Sequence, residues 1–236
     1  MPLATASNSP ESTPAHSSSA TAVPAIDVAD LRFKYGDNTI VDIQRFRLEH
    51  RQSLALIGPS GCGKTTFLYL LAGLLRPDAG TVRVLGQDLA TLRGAALDRF
   101  RGQRIGLVFQ RLHLLPALNV RENVSLAGRL SANRLDASRV TRLLEQLNLQ
   151  GLERYKPSML SQGQAQRVAI ARALAHGPKL IIADEPTSAL DDQNAEQALS
   201  LLRSSAESVG AALLVVTHDQ RLRGCLNSEF ELQVPA

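Results

Sequence analysis

The segment GPSGCGKT, residues 58–65, constrains the fold of this chain more than any other part of its sequence. It follows the apolar stretch SLALIG and runs into KTTFLYLLAGLLRP, so we expect a loop between a buried strand and a helix. Its glycines permit turn conformations in which successive backbone N–H groups converge on an anion. Lys64 places a positive charge against the outer phosphates of a nucleotide, and Thr65 offers a hydroxyl to Mg²⁺. The segment therefore predicts a phosphate-binding loop.

Cys62 lies inside this loop, and we interpret it as a small filler. The alternative hypothesis is a reactive thiol that bound ATP would protect from alkylation, because a helix N-terminus and a neighbouring lysine favour the thiolate.

The hydrophobic pattern divides the chain into three parts. Residues 1–24 are rich in Ser, Thr, Ala and Pro and predict a disordered tail, so the folded domain is expected at 25–236. Strand patterns dominate up to GTVRVLGQ, and helical patterns dominate roughly 89–160, interrupted by IGLVFQ. After residue 160, helices alternate with the apolar strands KLIIAD and AALLVVTH, which predicts a parallel α/β sheet with the helical middle as an insertion.

Composition excludes several classes of protein. Two cysteines provide neither a disulfide framework nor the spacing of a metal site. No apolar run reaches the roughly 18–20 residues that cross a bilayer, so any membrane association is expected to be peripheral. The net charge of +4 is spread along the chain, which favours a solvated surface over a nucleic-acid site and leaves acidic lipid headgroups open as a partner.

Polar residues follow three of the predicted strands. Asp184 and Glu185 end KLIIADEP, His218 ends VVTH, and Gln110 ends IGLVFQ. Because parallel strands present ligands at their carboxyl ends, we expect Asp184 beside Mg²⁺ and Glu185 beside a water in line with the γ-phosphorus. We expect His218 to contact the γ-phosphate and Gln110 to touch Mg²⁺ or the attacking water. A helix N-cap pair for the two acids and a structural role for the histidine remain alternatives.

A second anion site is predicted in LSQGQAQRVAIARAL, residues 160–174, where a short polar loop runs into a helix. The first amide N–H groups of a helix lack partners within it and carry a partial positive charge. One nucleotide does not require both this site and the phosphate-binding loop.

These segments together resemble the ATP-binding cassette (ABC) ATPases, and the likeness covers residues 25–219 in the expected order. Tyr35 stands where that family has an adenine-stacking aromatic. GPSGCGKTT is similar to the family's Walker A loop, LSQGQ to its signature, LIIADEP to Walker B and SALD at 188–191 to its D-loop. Gln110 is similar to the Q-loop glutamine and His218 to the switch histidine.

The resemblance implies ATP and Mg²⁺ as ligands. It implies an α/β fold: a P-loop NTPase (RecA-like) core with an N-terminal antiparallel β subdomain and an inserted α-helical subdomain. It assigns metal contacts to Thr65, Gln110 and Asp184, and catalytic roles to Glu185, His218 and Gln110. It assigns nucleotide contacts to Tyr35, Gly58, Pro59, Ser60, Gly61, Cys62, Gly63, Lys64, Thr65, Thr66, Ser161, Gly163 and Gln164.

The resemblance also explains the second anion site. In the family two cassettes pack head to tail, so the signature of one covers the ATP held by the Walker A loop of the other. It implies that Ser161, Gly163 and the helix start at Gln164 meet the γ-phosphate of a second subunit, expected to be an identical chain. Two departures stand out: Gln162 replaces a common glycine of the signature, and EHRQSLALIG lacks the usual Gly-Glu turn.

RIGLVFQRLHLLPALNVRENV is most similar to the cassettes of lipoprotein-release, macrolide-export and cell-division systems. The resemblance implies separate integral-membrane permease subunits, a periplasmic adaptor as a further partner, no nucleic-acid partner and a place at the cytoplasmic face of the inner membrane. It also implies that the region 93–123 docks the permease; a plain solvated helical face is the alternative. A soluble ABC ATPase and a degenerate binding module stay open as other functions.

Overall fold

The computed structural model describes residues 23–130, 136–188, 192–219 and 224–234. The predicted tail therefore lies almost wholly outside the described residues, as do the last three positions of the predicted D-loop. Within the described part, the chain forms one parallel and one antiparallel sheet, with helices on both faces of the parallel sheet. This arrangement confirms the predicted α/β class.

The parallel sheet contains the strands β3 (Ser53–Ile57), β6 (Ile105–Val108), β7 (Leu180–Asp184), β8 (Ala212–Thr217) and β9 (Ser228–Glu231). Their order across the sheet is β6-β7-β8-β3-β9. Every residue of β3, β7 and β8 is buried, as expected for parallel strands covered on both faces. The carboxyl ends of these three strands therefore meet at one edge of the sheet.

The antiparallel sheet contains β1 (Ile26–Tyr35), β2 (Asn38–Leu48), β4 (Ala79–Val84) and β5 (Gln87–Asp88) in the order β2-β1-β4-β5. A turn at Gly36 and Asp37 joins the first two strands, and Gly36 has a φ of 58°. This sheet confirms the predicted N-terminal antiparallel part.

The helices are α1 (Lys64–Leu71), α2 (Gly94–Arg104), α3 (Val120–Leu130), α4 (Ala137–Gln146), α5 (Gln162–Leu174) and α6 (Asp192–Val209). The helix expected over KTTFLYLLAGLLRP, with Pro77 as its end, is shorter than predicted: α1 ends at Leu71, where a turn at Ala72 and Gly73, the latter with a φ of 65°, stops it well before the proline. No helix among these residues is long and apolar enough to cross a bilayer.

The predicted helical interval 89–160 contains β6, which pairs with β7 inside the parallel sheet. The strand belongs there because Gly106 lies so close to α5 that an added Cβ would be 2.5 Å from the carbonyl oxygen of Ala173. The predicted helical interval thus contains α2 before β6 and α3 and α4 after it.

Alternate residues of the buried strands face two hydrophobic layers. Leu56, Ile182 and Leu214 pack with α1 and the antiparallel sheet. Ile57 and Val215 face the opposite layer, which is built by α3 to α6. Packing on both faces fixes the positions of the strand ends. The polar residues that directly follow β7 and β8 are therefore held in fixed positions as well.

Candidate nucleotide site

The loop between β3 and α1 depends on glycine at two positions. A Cβ on Gly58 would lie 2.6 Å from the carbonyl oxygen of Leu232 and 2.7 Å from the Cys62 Sγ atom. Gly63 has a φ of 94°, and a Cβ there would lie 2.4 Å from the carbonyl oxygen of Ile40. Side chains at either position would displace the loop from β9 or β2. The sequence pattern predicted this loop, and the structure places it at the carboxyl edge of the sheet.

Lys64 is the first residue of α1 and is only 7% exposed. Its Nζ atom donates to the carbonyl oxygens of Gly58 and Pro59, each at 2.8 Å. The loop thus wraps around a buried ammonium group, with Ser60 and Gly61 exposed on its outer side. This concentrates positive charge where consecutive N–H groups and the start of α1 also attract anions.

Cys62 is 1% exposed, which favours the filler interpretation over an accessible, alkylatable thiol.

Asp184 ends β7 on the α1 side of the sheet, where the Thr65 hydroxyl donates to its Oδ1 atom at 3.5 Å. Burial and the neighbouring Glu185 carboxylate raise the pKa of Asp184 to about 6, against the opposing effects of Thr65 and Lys64. A buried carboxylate next to a second one favours a cation, and hydroxyl and carboxylate oxygens are the ligands Mg²⁺ prefers. The donor set therefore fits the predicted metal.

Glu185 follows β7 directly and is 9% exposed. Its Oε1 atom accepts from the backbone N–H of His218 at 3.1 Å and lies 2.7 Å from the His218 Nδ1 atom. Its Oε2 atom accepts from the Thr217 hydroxyl at 3.3 Å. The structure thus brings together the two residues that sequence reasoning placed at adjacent strand ends.

Gln110 is exposed after β6, and its Nε2 atom donates to the Ser188 hydroxyl at 3.4 Å. Ser188 in turn donates to the carbonyl oxygen of Glu185 at 3.1 Å. Tyr35, at the end of β1, is 53% exposed and packs edge-on against Phe33 with a ring-centroid distance of 4.9 Å. An exposed ring of this kind is available for stacking.

At the second predicted anion site, the start of α5, the polar groups are hydrogen bonded to each other. Ser161 and Gln164 form a capping box, in which the Ser161 hydroxyl accepts from the Gln164 N–H at 3.2 Å and the Gln164 side chain accepts from the Ser161 N–H at 2.9 Å. The helix begins at Gln162, not at Gln164, because this reciprocal pair caps it two residues earlier. Within the described residues, no hydrogen bond joins Ser161 or Gln164 to Lys64 or Thr65.

Sequence reasoning missed the residues that hold Glu185 from behind: Thr217, Thr187 and Asp219. Thr217 and Thr187 are 0% exposed. Thr217 is a polar residue at the end of an apolar strand, directly before the candidate His218. This position in the sequence could have indicated that Thr217 lies near the site.

A parallel sheet whose carboxyl edge carries a glycine-rich loop, a buried lysine and a Thr–Asp pair defines a P-loop nucleoside triphosphatase. A family model described as "ABC transporter" matches residues 41–188. The lipoprotein-releasing system ATP-binding protein LolD of Hydrogenovibrio crunogenus is 40% identical over 189 residues, which are 79% of this chain and 82% of that protein. The chain belongs to the ABC transporter family, and it is an ATPase of that family.

Two further relatives extend this comparison. The macrolide export ATP-binding/permease protein MacB of Shigella flexneri is 39% identical over 218 residues, 89% of this chain. The chain spans only 33% of that relative's length. The dimeric structure of a bacterial ABC transporter cassette is 32% identical, has a TM-score of 0.78 and is matched over 88% of this chain and 94% of its own. The same cassette is also known in a post-hydrolysis state bound to ADP and Pi.

Proposed function

We propose that this chain is the ATP-hydrolysing subunit of a membrane transporter, and that ATP joins two copies of it head to tail. The observation that carries the proposal is the presence of two anion-attracting sites that no hydrogen bond connects within the described residues. The β3–α1 loop surrounds Lys64, whereas the start of α5 is closed on itself by Ser161 and Gln164. Two copies related by a twofold axis would complete each other's sites.

In this proposal the loop and Lys64 bind the phosphates, and Tyr35 stacks on adenine. The residues that contact the nucleotide in the same chain are those predicted from the sequence: Tyr35, Gly58, Pro59, Ser60, Gly61, Cys62, Gly63, Lys64, Thr65 and Thr66. Cys62 acts through its backbone, because its side chain is buried. Lys64 must exchange the carbonyl oxygens of Gly58 and Pro59 for phosphate oxygens, which are better acceptors because they are charged.

Thr65, Asp184 and Gln110 would hold Mg²⁺, which when bound neutralises charge that develops on the outer phosphates. The raised pKa of Asp184 follows from burial and from Glu185, and a cation at this place would favour the carboxylate form.

Glu185 orients the attacking water and takes up its proton, a role that typically contributes about 10²–10⁴-fold to a rate. His218 is hydrogen bonded to the same carboxylate and reaches toward the γ-phosphate from a side chain that is 55% exposed. Gln110 donates to the Ser188 hydroxyl, and Ser188 donates to the backbone carbonyl oxygen of Glu185. Gln110 is therefore coupled through Ser188 to the loop that carries the proposed general base.

The start of α5 would cover the γ-phosphate held by the partner subunit. Ser161, Gly163 and Gln164 would contribute a hydroxyl, unobstructed backbone and a first-turn N–H group, and the bond between the Ser161 hydroxyl and the Gln164 N–H would be exchanged for bonds to the phosphate. A Cβ on Gly163 would meet nothing within 4 Å, so the space above the helix start is open in the single chain. Hydrolysis cleaves the bond between the β- and γ-phosphates; once the inorganic phosphate leaves, the group that both subunits contact is lost and the dimer opens again.

The permease subunits would dock on the region 93–123. α2 has no fully buried residue, and Leu115, in the segment that follows Gln110, is 43% exposed. The named functions of the LolD and MacB relatives support lipoprotein release or macrolide export as the type of transport. The chain would then act peripherally at the cytoplasmic face of the inner membrane, with a periplasmic adaptor as a further partner.

Steady-state hydrolysis and equilibrium ATP binding test the assignment of roles. Glu185→Gln keeps the shape of the side chain and should lower turnover at least ~100-fold while leaving ATP affinity unchanged, because the amide cannot accept the proton. Lys64→Ala is the contrasting variant and should weaken ATP binding itself. Turnover near the wild-type rate in Glu185→Gln would contradict the role given to this carboxylate.

A further inference from the structure

A closed set of hydrogen bonds lies behind Glu185, on the side away from the exposed histidine. The Thr217 hydroxyl donates to the Glu185 Oε2 atom at 3.3 Å and accepts from the backbone N–H of Asp219 at 2.9 Å. The Thr187 hydroxyl donates to the Asp219 carboxylate at 3.3 Å. Both threonines are 0% exposed, so no water competes for these bonds.

The sheet itself places Thr217 opposite Glu185. β7 and β8 are parallel neighbours with Asp184 paired to Val216, and the Glu185 N–H donates to the Val216 carbonyl oxygen at 2.8 Å. Glu185 has a φ of 47°, which turns its side chain back across the end of β8. This left-handed conformation is costly for a side chain of its size and persists only where surrounding contacts impose it.

The direction of the Thr217 proton is fixed by its partners. A hydroxyl has one proton, and the Asp219 N–H already occupies an acceptor position on the Thr217 oxygen. The proton is therefore directed to Glu185. With Oε1 held by His218 and Oε2 held by Thr217, the plane of the carboxylate is fixed at both oxygens.

We propose that Thr217 is a positioning residue for ATP hydrolysis: its hydroxyl fixes the plane of the Glu185 carboxylate, and Asp219 and Thr187 hold that hydroxyl in place. The inference rests on the proposed role of Glu185 in orienting the attacking water. Because Thr217 is fully buried behind Glu185, we expect it to act only through the carboxylate. The residue should therefore affect the rate of hydrolysis and not the affinity for ATP.

Three variants of the full chain test this inference by turnover, KM for ATP, equilibrium ATP binding and thermal unfolding. Thr217→Val keeps the shape and removes the hydroxyl, and should lower kcat about 10- to 100-fold, the worth of one hydrogen bond to a charged group. KM and ATP affinity should stay within about twofold, because the phosphate-binding groups are untouched. Thr217→Ser restores the hydroxyl and should recover most of kcat. Ser53→Ala removes a buried hydroxyl at the opposite end of neighbouring β3 and should leave kcat unchanged.

Three outcomes would overturn the inference: an unchanged kcat in Thr217→Val, a loss of ATP affinity that parallels the loss of rate, or no recovery in Thr217→Ser. If Thr217→Val does not fold, Thr187→Val decides the question, since it loosens the outer bond to Asp219 and should lower kcat by a smaller factor at constant affinity. Glu185→Gln is measured alongside. If that variant turns over normally, the proposed function of Glu185 fails; if it is inactive while Thr217→Val is normal, only this inference fails.

Discussion

Two consecutive acids end β7, and their environments differ sharply at the scale of single residues. Asp184 points to α1, where it is 4% exposed and has only the Thr65 hydroxyl as a hydrogen-bond partner within the described residues. Glu185 points across β8 and is held at both oxygens. Burial therefore penalises the charge of Asp184 in the free protein, which raises its pKa from an ordinary value of 3.8 to about 6.

This shift predicts that the charged form of Asp184, the form that would bind a cation, lowers the free energy of unfolding of the ligand-free protein. Above pH 6 the folded protein carries a charge that the unfolded chain hydrates better, and the difference corresponds to about 3 kcal/mol. Because the folded pKa is raised, the native state binds more protons between about pH 4 and pH 6, and the contribution of Asp184 to stability falls as pH rises through that window.

Asp184→Asn should therefore stabilise the nucleotide- and metal-free protein by about 3 kcal/mol above pH 6, and the gain should vanish near pH 4. Urea unfolding of both proteins across this range measures the difference. Asp37→Asn, an exposed substitution in the turn between β1 and β2, is the control and should change stability by less than about 0.5 kcal/mol. A variant that is equally or less stable than the parent at pH 7 would rule out the proposed environment of Asp184.

At the scale of elements, a half-buried arginine connects the signature helix to the segment that follows Gln110. Arg172, on α5, donates to the carbonyl oxygens of Leu112 and His113, each at 2.6 Å. Burial lowers the pKa of its guanidinium, and His113 has a φ of 47°. One helix of the insertion, α3, contributes a further fixed point, since its Asn123 side chain exchanges hydrogen bonds with the backbone of Leu115 in the same segment.

Arg172→Met should destabilise the protein by about 0.5–1.5 kcal/mol, because two backbone carbonyl groups lose their charged hydrogen-bond donor while the length of the side chain is kept. Urea unfolding checks the value. Arg142→Met is the matched control on α4, where an exposed guanidinium bonds only to Ser138, and should cost less than about 0.5 kcal/mol. Equal effects of the two substitutions would show that the contacts of Arg172 contribute nothing to the fold.

Elements were best predicted from the sequence where the local backbone conformation or burial allows only a few residue types. The phosphate-binding loop and the apolar β7 and β8 follow from glycine spacing and buried runs. The start of α5 was placed two residues late, because the capping box of Ser161 and Gln164 was not recognised in the sequence. β9 was missed because its alternating pattern is only four residues long. β6 was predicted as the strand IGLVFQ that interrupts the helical interval, but only tertiary contacts show that it pairs with β7. The threonines behind Glu185 were missed because they are joined through space, 30 residues apart in sequence for Thr187 and Thr217.

At the scale of the whole molecule, the chain carries two incomplete halves of a nucleotide site. The β3–α1 loop provides phosphate ligands and the carboxylates, while the start of α5 provides a helix N-terminus with open space above Gly163. The solved cassette that matches 88% of this chain is a dimer. In our proposal ATP is the ligand that binds the closed pair better than the single chain, and hydrolysis reverses that preference.

The most direct test is the mass in solution of the Glu185→Gln protein, measured by light scattering during size exclusion with saturating ATP and Mg²⁺. We predict the mass of two chains with ATP and of one chain without it. Adding Gly163→Asp should return the protein to one chain while ATP still binds, because the position has room for a side chain but would set a negative charge against the partner's γ-phosphate. A single-chain mass for Glu185→Gln at saturating ATP, or a dimer that persists with Gly163→Asp, would contradict the head-to-tail arrangement.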